Sequence, residues 1–260
     1  MPQPSLLVIV AYLGPLPRMF DLWLESCRQN PHVNWLVTSD RPQHMEYPPN
    51  VRYLQQSQEQ IIARMREHVG VEPEVFNAYK LCDYKVTYGV MFADELQGYD
   101  YWGVCDLDML FGDMARFLDL NSLSEYTKLF WHGHLTIYRN TPEVNNTFRE
   151  PGPGWDPMEI LRSRYYRSLD EKPGVHTVWR LKGLPVYHEN LIADIVPNVL
   201  RMNARLQPNT DPQVFAWIDG RVICYQVEEG KVVDREYLYI HFQKRRMPRG
   251  DFAVGHPFYI

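Results

Sequence analysis

The sequence predicts an α/β fold: a mixed, mainly parallel sheet flanked by helices, with a β-hairpin near the C-terminus. Three observations point to it. Continuous apolar runs rich in β-branched residues, such as LLVIVAYL and VNWLVTSD, read as strands buried on both faces, which is how parallel sheets look in sequence. Segments with helical apolar spacing alternate with these runs, and strand-helix-strand units joined by short loops form right-handed crossovers. Late in the chain, RVICYQV and KVVDREYLYI flank an EEGK centre that reads as a hairpin turn. Ligands of such folds bind beyond the carboxyl ends of the strands.

The first strand is expected over residues 6–13. PRMFDLWLESCRQN follows as a helix, with Phe20, Leu22, Trp23, Leu24 and Cys27 at near-helical spacing, Pro17 close to its start and Asn30-Pro31 ending it. VNWLVTSD is the second strand, closing in the polar residues Thr38, Ser39 and Asp40. VRYLQQ is a third, and QEQIIARMREHV is an amphipathic helix that stops at Gly70. A long helix over residues 79–96, capped by Gly98, sets Lys80, Asp83 and Tyr84 near one face and Leu81, Lys85 and Tyr88 toward another. It delivers the chain into YDYWGVCDLDML, a strand that breaks at two carboxylates. MARFLDL reads as a short helix and TKLFWHGHLTIYRN as two strands meeting at Gly133. REPGPGWDP reads as a lid-like loop and MEILRSRYYRSL as another helix.

A chain of 260 residues can bury a sizeable core as one large α/β domain, so residues 1–260 are read as a single unit. Hydrophobic residues at 45% and charged residues at 23% exclude a disordered or fibrous chain. A formal net charge of -5 argues against nucleic acid as a partner, because counterion release needs a basic face and only KRRMPR is locally basic. Cys27, Cys82, Cys105 and Cys224 are widely spaced and form no C-x-x-C pair, which reads as reduced, mostly buried thiols of a cytosolic protein. LLVIVAYLG is too short to span a bilayer and lacks a basic flank, so neither a transmembrane segment nor a signal peptide is expected.

Asp106 and Asp108 carry the chemistry. In an extended strand residues i and i+2 point to one side, so the two carboxylates face together. Burying them unpaired is costly, and a cation compensates. Oxygen ligands suit hard ions such as Mg²⁺ or Mn²⁺, which also bridge diphosphate oxygens. The competing reading is a solvated turn at the strand's end. His241, inside IHFQKRRM, sets an imidazole beside Lys244, Arg245 and Arg246. It reads either as a metal ligand next to a phosphate-neutralising cluster or as a structural histidine before a solvated basic tail. Gly133, between His132 and His134, permits close backbone approach to a ligand.

The motifs VAYLGPLPRMFDLWLESCRQNP with WLVTSD, YKLCDYKVTYG, GYDYWGVCDLDMLFGD, HGHLTIYRN and YIHFQKRRM occur in consistent order over most of the chain. In this ordered set the chain resembles the Rossmann-like GT-A glycosyltransferases of the nucleotide-diphospho-sugar transferase superfamily, and within them a bacterial group of GT-A-like proteins. The resemblance implies that Asp106 contacts the ribose or the metal, that Asp108 binds the Mn²⁺ or Mg²⁺, and that His241 completes the metal site. It implies a phosphate contact for Lys244 and a nucleoside pocket at Ala11, Tyr12 and Asp40. Lys80, Asp83 and Lys85 would touch the nucleotide or sugar, and His132 or His134 would bond a sugar hydroxyl. Asp170 and Glu171 resemble the acidic pair that supplies the base in inverting enzymes.

The implied division is a nucleotide-binding half over residues 1–112 and an acceptor half with the metal and phosphate segment over 113–260. The implied activity is metal-dependent transfer of a sugar, a hexose by analogy, from a nucleotide-diphosphate sugar to a hydroxyl of a glycan or lipid-linked glycan. Surface polysaccharide or lipopolysaccharide synthesis would be its setting, in the cytoplasm and in peripheral association with the inner face of the membrane. Two other readings stay open. VCDLDML imitates the strand end of a haloacid-dehalogenase-type phosphohydrolase, in which the first aspartate is the nucleophile. A non-catalytic nucleotide-sugar-binding module is the third.

Overall fold

The computed structural model describes residues 4–43, 45–171, 174–189, 192–195, 202–204, 212–243 and 258–259. Strand β1 (Leu6–Tyr12), helix α1 (Phe20–Arg28), strands β2 (Asn34–Ser39) and β3 (Val51–Gln55) and helix α2 (Gln58–Arg64) form the first half of the main sheet and its cover. Every residue from Leu6 to Val10 is buried, as two-sided packing requires. Helix α1 lays Trp23 against Trp35 and Phe111, with ring centroids 5.9 and 6.4 Å away. A capping box between Ser57 and Gln60 starts α2, and Gly70, at φ 83°, ends the turn that follows it.

Next come the short helices α3 (Leu81–Tyr84) and α4 (Tyr88–Met91), then strands β4 (Tyr101–Cys105), β5 (Met109–Phe111), β6 (Lys128–His132), β7 (Leu135–Arg139) and β8 (Val186–Tyr187). The main sheet runs β3-β2-β1-β4-β7-β6-β8. Its pairs are parallel from β3 to β4 and between β6 and β8, and antiparallel at β4-β7 and β7-β6. Mixed and mainly parallel, it matches the expected class.

The last part of the chain supplies β9 (Ile192–Ile195), β10 (Met202–Ala204), β11 (Gln213–Ile218), β12 (Arg221–Glu228), β13 (Lys231–Tyr237), β14 (Tyr239–His241) and β15 (Phe258–Tyr259). A second sheet runs β10-β9-β14-β5 and a third runs β13-β12-β11-β15. The expected hairpin is β12-β13. Its two loop residues, Glu229 and Gly230, both have positive φ, the twist that two-residue hairpin turns require.

Three expected helices are corrected. The run over 79–96 is broken into α3 and α4, with 3₁₀ turns at Ala78–Lys80 and Lys85–Thr87. Residues 80–92 are buried except for the half-buried Cys82 and Val90, so no single amphipathic stripe holds the run straight, and the Thr87 hydroxyl draws the Tyr84 carbonyl to 2.7 Å. MARFLDL yields only a 3₁₀ turn at Met114–Arg116. MEILRSRYYRSL is helical only over Pro157–Arg162. Beyond it, the backbone N–H groups of Arg167 and Leu169 donate to Asp83, and the Tyr165 carbonyl accepts from Lys80, an alternative that replaces helical bonding.

All four cysteines are free, with Cys27, Cys105 and Cys224 buried. Among the described residues no helix is long and apolar enough to cross a membrane.

Candidate functional site

Where β1 and β4 end, the chain leaves a cleft of about 1240 Å³. That exceeds the roughly 300–1,000 Å³ of a pocket for one small molecule and gives room for two reactants. Ala11 and Tyr12 form one wall at the end of β1, and Arg18 of the following loop extends it. Strand β4 stops at Cys105, so Asp106 and Asp108 stand just past its carboxyl end.

His241 reaches these carboxylates from far along the sequence because β14 pairs antiparallel with β5, setting His241 opposite Met109. The Phe242 N–H also donates to the Asp108 carbonyl at 2.8 Å. His241 Nε2 then lies 3.6 Å from Asp108 Oδ1 and 3.9 Å from Asp106 Oδ2. The other ring nitrogen, Nδ1, is 3.0 Å from Asp194 Oδ1, and the Gln243 amide donates to both Asp194 oxygens at 2.9 Å. His134 stacks on His241 at 4.2 Å between centroids and His132 stacks on His134 at 4.9 Å. Burial opposes a charge on His241, but hydrogen bonds to Asp108 and Asp194 and the nearby Asp106 push its pKa up to about 9.

Two carboxylates and an imidazole thus offer ligand atoms within 4.8 Å of one another. The set fits a divalent cation. It combines hard oxygen donors with one imidazole nitrogen. Asp194 holds the imidazole from behind, as the outer partner of a metal-ligating histidine does.

Beside this cluster sits a buried ammonium. Lys85 Nζ donates to Asp106 Oδ1 at 2.6 Å and to the Gly133 carbonyl at 2.7 Å, and lies 3.4 Å from Asp170 Oδ2. Burial disfavours its charge, yet Asp106 and Asp170 more than offset that and hold its pKa well above the usual lysine value. Asp170 is 3% exposed, borders the cleft, and its Oδ1 has no hydrogen-bond partner among the described residues. Burial pushes its carboxyl up to about 6 against the pull of Lys85. The approach of strand and loop here needs Gly133, since a Cβ at that position would lie 2.6 Å from Asp170 Oδ2.

Ala11, Tyr12, Lys85, Asp106, Asp108, His132, His134, Asp170, Glu171 and His241 therefore border one cleft. Three of the predicted residues lie off this cleft. Lys80 and Asp83 are fully buried, pair at 2.8 Å and do not line the cleft. Their remaining bonds go to the backbone at Ile160, Tyr165, Arg167 and Leu169, so they pin that segment to α3. Asp40 is also off the wall; it accepts the Gly14 N–H at 2.7 Å and shapes the loop after β1. None of residues 149–157 lines the cleft, and Gly152 and Trp155 close that loop as a tight turn. Lys244, Arg245 and Arg246 lie outside the described residues.

Sequence reasoning missed Asp194, Gln243, Arg18, Trp131, Tyr79 and Tyr166, all of which border the cleft. The apolar-flanked LIADIV around Asp194 carried a strand signal that would have found it.

Among curated proteins there is no match to the chain. The apo crystal structure of mouse xyloside xylosyltransferase 1 is similar at TM-score 0.43 and 7% identity, covering 75% of this chain and 88% of that one. A glycosyltransferase involved in glycosylation of the major capsid of PBCV-1 is similar at TM-score 0.38 and 9% identity, covering 74% and 85%. A family model described as a family of unknown function, DUF6625, matches residues 8–260, and the chain belongs to that family.

Proposed function

We propose that this protein is a metal-dependent glycosyltransferase that moves a sugar from a nucleotide-diphosphate donor to an acceptor hydroxyl. The observation that carries the reading is the convergence of Asp106, Asp108 and His241 at the carboxyl ends of the strands, inside a cleft large enough for two substrates. Asp106, Asp108 and His241 would hold a Mn²⁺ or Mg²⁺, whose charge would neutralise the leaving diphosphate. Ala11, Tyr12 and Arg18 border the place for the nucleoside, with residues 1–112 forming the donor half of a single domain.

Asp170 is the group that receives the acceptor's proton. Asp170 borders the cleft, its buried Oδ1 has no hydrogen-bond partner among the described residues, and a carboxyl near 6 is basic enough to act at neutral pH while still ionised. Lys85 holds Asp106 and Asp170 in fixed relation, and Glu171 stands exposed beside them. His132 and His134 line the same cleft as partners for sugar hydroxyls. The bacterial setting, a hexose as the sugar, a glycan or lipid-linked glycan as acceptor and a cytoplasmic location rest on the motif resemblance.

The test is a thermal-shift screen of nucleotide sugars with and without Mn²⁺, repeated on Asp108→Ala and His241→Ala. Metal-dependent stabilisation of the unsubstituted protein, lost in both variants, is expected. No stabilisation by any nucleotide sugar would sink the reading, and phosphate release from a simple phosphomonoester would replace it with the phosphohydrolase. Binding without turnover toward any acceptor would leave a nucleotide-sugar-binding module.

A further inference from the structure

Five carboxylates line the cleft, those of Asp106, Asp108, Asp170, Glu171 and Asp194. Against them the described lining sets Lys85, Arg18 and the imidazole of His241. Lys85 is fully committed: an ammonium has three donors, and this one meets Asp106, Asp170 and the Gly133 carbonyl. His241 faces Asp194 on one side and Asp108 with Asp106 on the other. Arg18 differs from both. Its guanidinium is exposed and has no ion pair or hydrogen bond among the described residues. The acidic residues flanking its loop are turned elsewhere. Asp21 accepts the Leu22 N–H at 2.9 Å, while Asp40 accepts the Gly14 N–H at 2.7 Å and lies 3.7 Å from Arg41. The Arg18 backbone is nonetheless fixed, because Pro17 sets its own φ and its carbonyl accepts the Phe20 N–H at 3.0 Å, closing a turn at the start of α1.

We propose that Arg18 grips a phosphate of the donor's diphosphate. The inference rests on the transferase reading and deepens it, since it assigns a phosphate contact to a residue of the β1–α1 loop. The charge of a divalent ion at the metal site would already be balanced by Asp106 and Asp108, and that of Lys85 is balanced by Asp170. Glu171 and Asp194 leave the rest of the lining acidic. A diphosphate dianion entering such a cleft needs a further cation, and among the described lining residues Arg18 is the one whose charge nothing answers. A planar guanidinium offers paired N–H donors that match two phosphate oxygens, which a neutral sugar hydroxyl would not require. Its position also fits, because it follows the carboxyl end of β1 on the wall formed with Ala11 and Tyr12, where folds of this kind take their ligands.

The experiment is titration calorimetry of the full chain in excess Mn²⁺ with UDP, GDP, CDP, ADP and dTDP, the tightest binder being taken forward. Arg18→Gln should weaken that nucleotide about 10- to 100-fold, the usual worth of a hydrogen bond to a charged group, and Arg18→Lys should fall between the two. Affinity should also decline as ionic strength rises, and less steeply in Arg18→Gln, which a purely structural role would not produce. Affinity for Mn²⁺ alone and the melting temperature should be the same in all three proteins, because the guanidinium has no partner among the described residues to lose. If the unsubstituted protein binds none of these nucleotides, the inference and the transferase reading fall together. Nucleotide binding that is unchanged in Arg18→Gln, with the same salt dependence, overturns the inference alone and points Arg18 to an anionic acceptor instead.

Discussion

The Lys85 ammonium lies 2.6 Å from Asp106 Oδ1, so a side chain buried in the broken helical run ahead of β4 is tied to the first residue past that strand. One oxygen of Asp106 is thereby committed to Lys85, and the other faces His241. Lys85→Met would leave Asp106 and Asp170 without the cation between them. Breaking a buried pair in this way costs about 3–5 kcal/mol, and the loss is to be read from urea denaturation. Adding Asp170→Asn to Lys85→Met should recover part of it, because the second carboxylate's charge is then gone. A double variant no more stable than the single one would remove Lys85 as the link between the two carboxylates.

Asp170→Asn alone should keep the Mn²⁺-dependent thermal shift with a donor and lower turnover by about 10²- to 10⁴-fold, the usual range for a general base. Single-turnover kinetics with a competent acceptor checks this. Turnover within a factor of two of the unsubstituted protein would exclude Asp170 as the base.

Gly133→Ala places a methyl group 2.6 Å from Asp170 Oδ2 and 2.8 Å from Glu171 Cγ. The Asp170 carboxylate and the Glu171 side chain have to shift, which should cost about 1–3 kcal/mol in stability and roughly 100-fold in turnover. Because Asp106, Asp108 and His241 are anchored on other elements, Mn²⁺ binding measured by titration calorimetry should persist.

Lys80→Met tests the other buried lysine. It breaks a fully buried pair with Asp83 and removes bonds to the Ile160 and Tyr165 carbonyls, so about 3–5 kcal/mol of destabilisation is expected. Lys80 does not line the cleft, so the folded fraction should bind a nucleotide sugar normally. Equal affinity for donor in the variant and the unsubstituted protein, at a temperature where both are folded, confirms a structural role.

Lys128 gives the pH prediction. Burial lowers its pKa from 10.5 to about 7, opposed by Asp170, and its ammonium rests against the rings of Tyr138 and Trp179. Between about pH 7 and 10.5 the unfolded chain holds a proton that the folded chain has released, so stability on this residue's account rises with pH through that window. Lys128→Met should therefore stabilise the protein at pH 7 by roughly 2 to 4 kcal/mol, with the gain shrinking toward pH 10. Thermal denaturation across that range reads it out. A gain that grows with pH would contradict the assignment.

The first half of the main sheet was legible in sequence because two-sided burial leaves unbroken apolar runs, as in Leu6 to Val10. Asp106 and Asp108 were legible because they interrupt such a run. Lys80, Asp83 and Lys85 mark where legibility stops. Helical spacing puts Lys80 and Asp83 on one face, which is correct, but it says nothing of what covers that face, and the cover is the segment 160–169. The ends of the helical segments were misread for the same reason: Asp83 and Lys80 take over backbone partners that helix periodicity assigns locally. Asp194 was missed because β9 is a four-residue strand whose partners, β10 and β14, are fixed by distant pairing.

Strand β14 is held between β5 and β9, antiparallel to one and parallel to the other. This placement sets an order in time as the polypeptide leaves the ribosome. Both aspartates emerge long before the histidine, and a nascent chain that stops short of residue 239 presents two carboxylates, with β5 still unpaired along the edge that β14 will occupy. If the three residues hold a cation as proposed, its capture by all of them is a late event in the protein's manufacture and coincides with the closing of that edge.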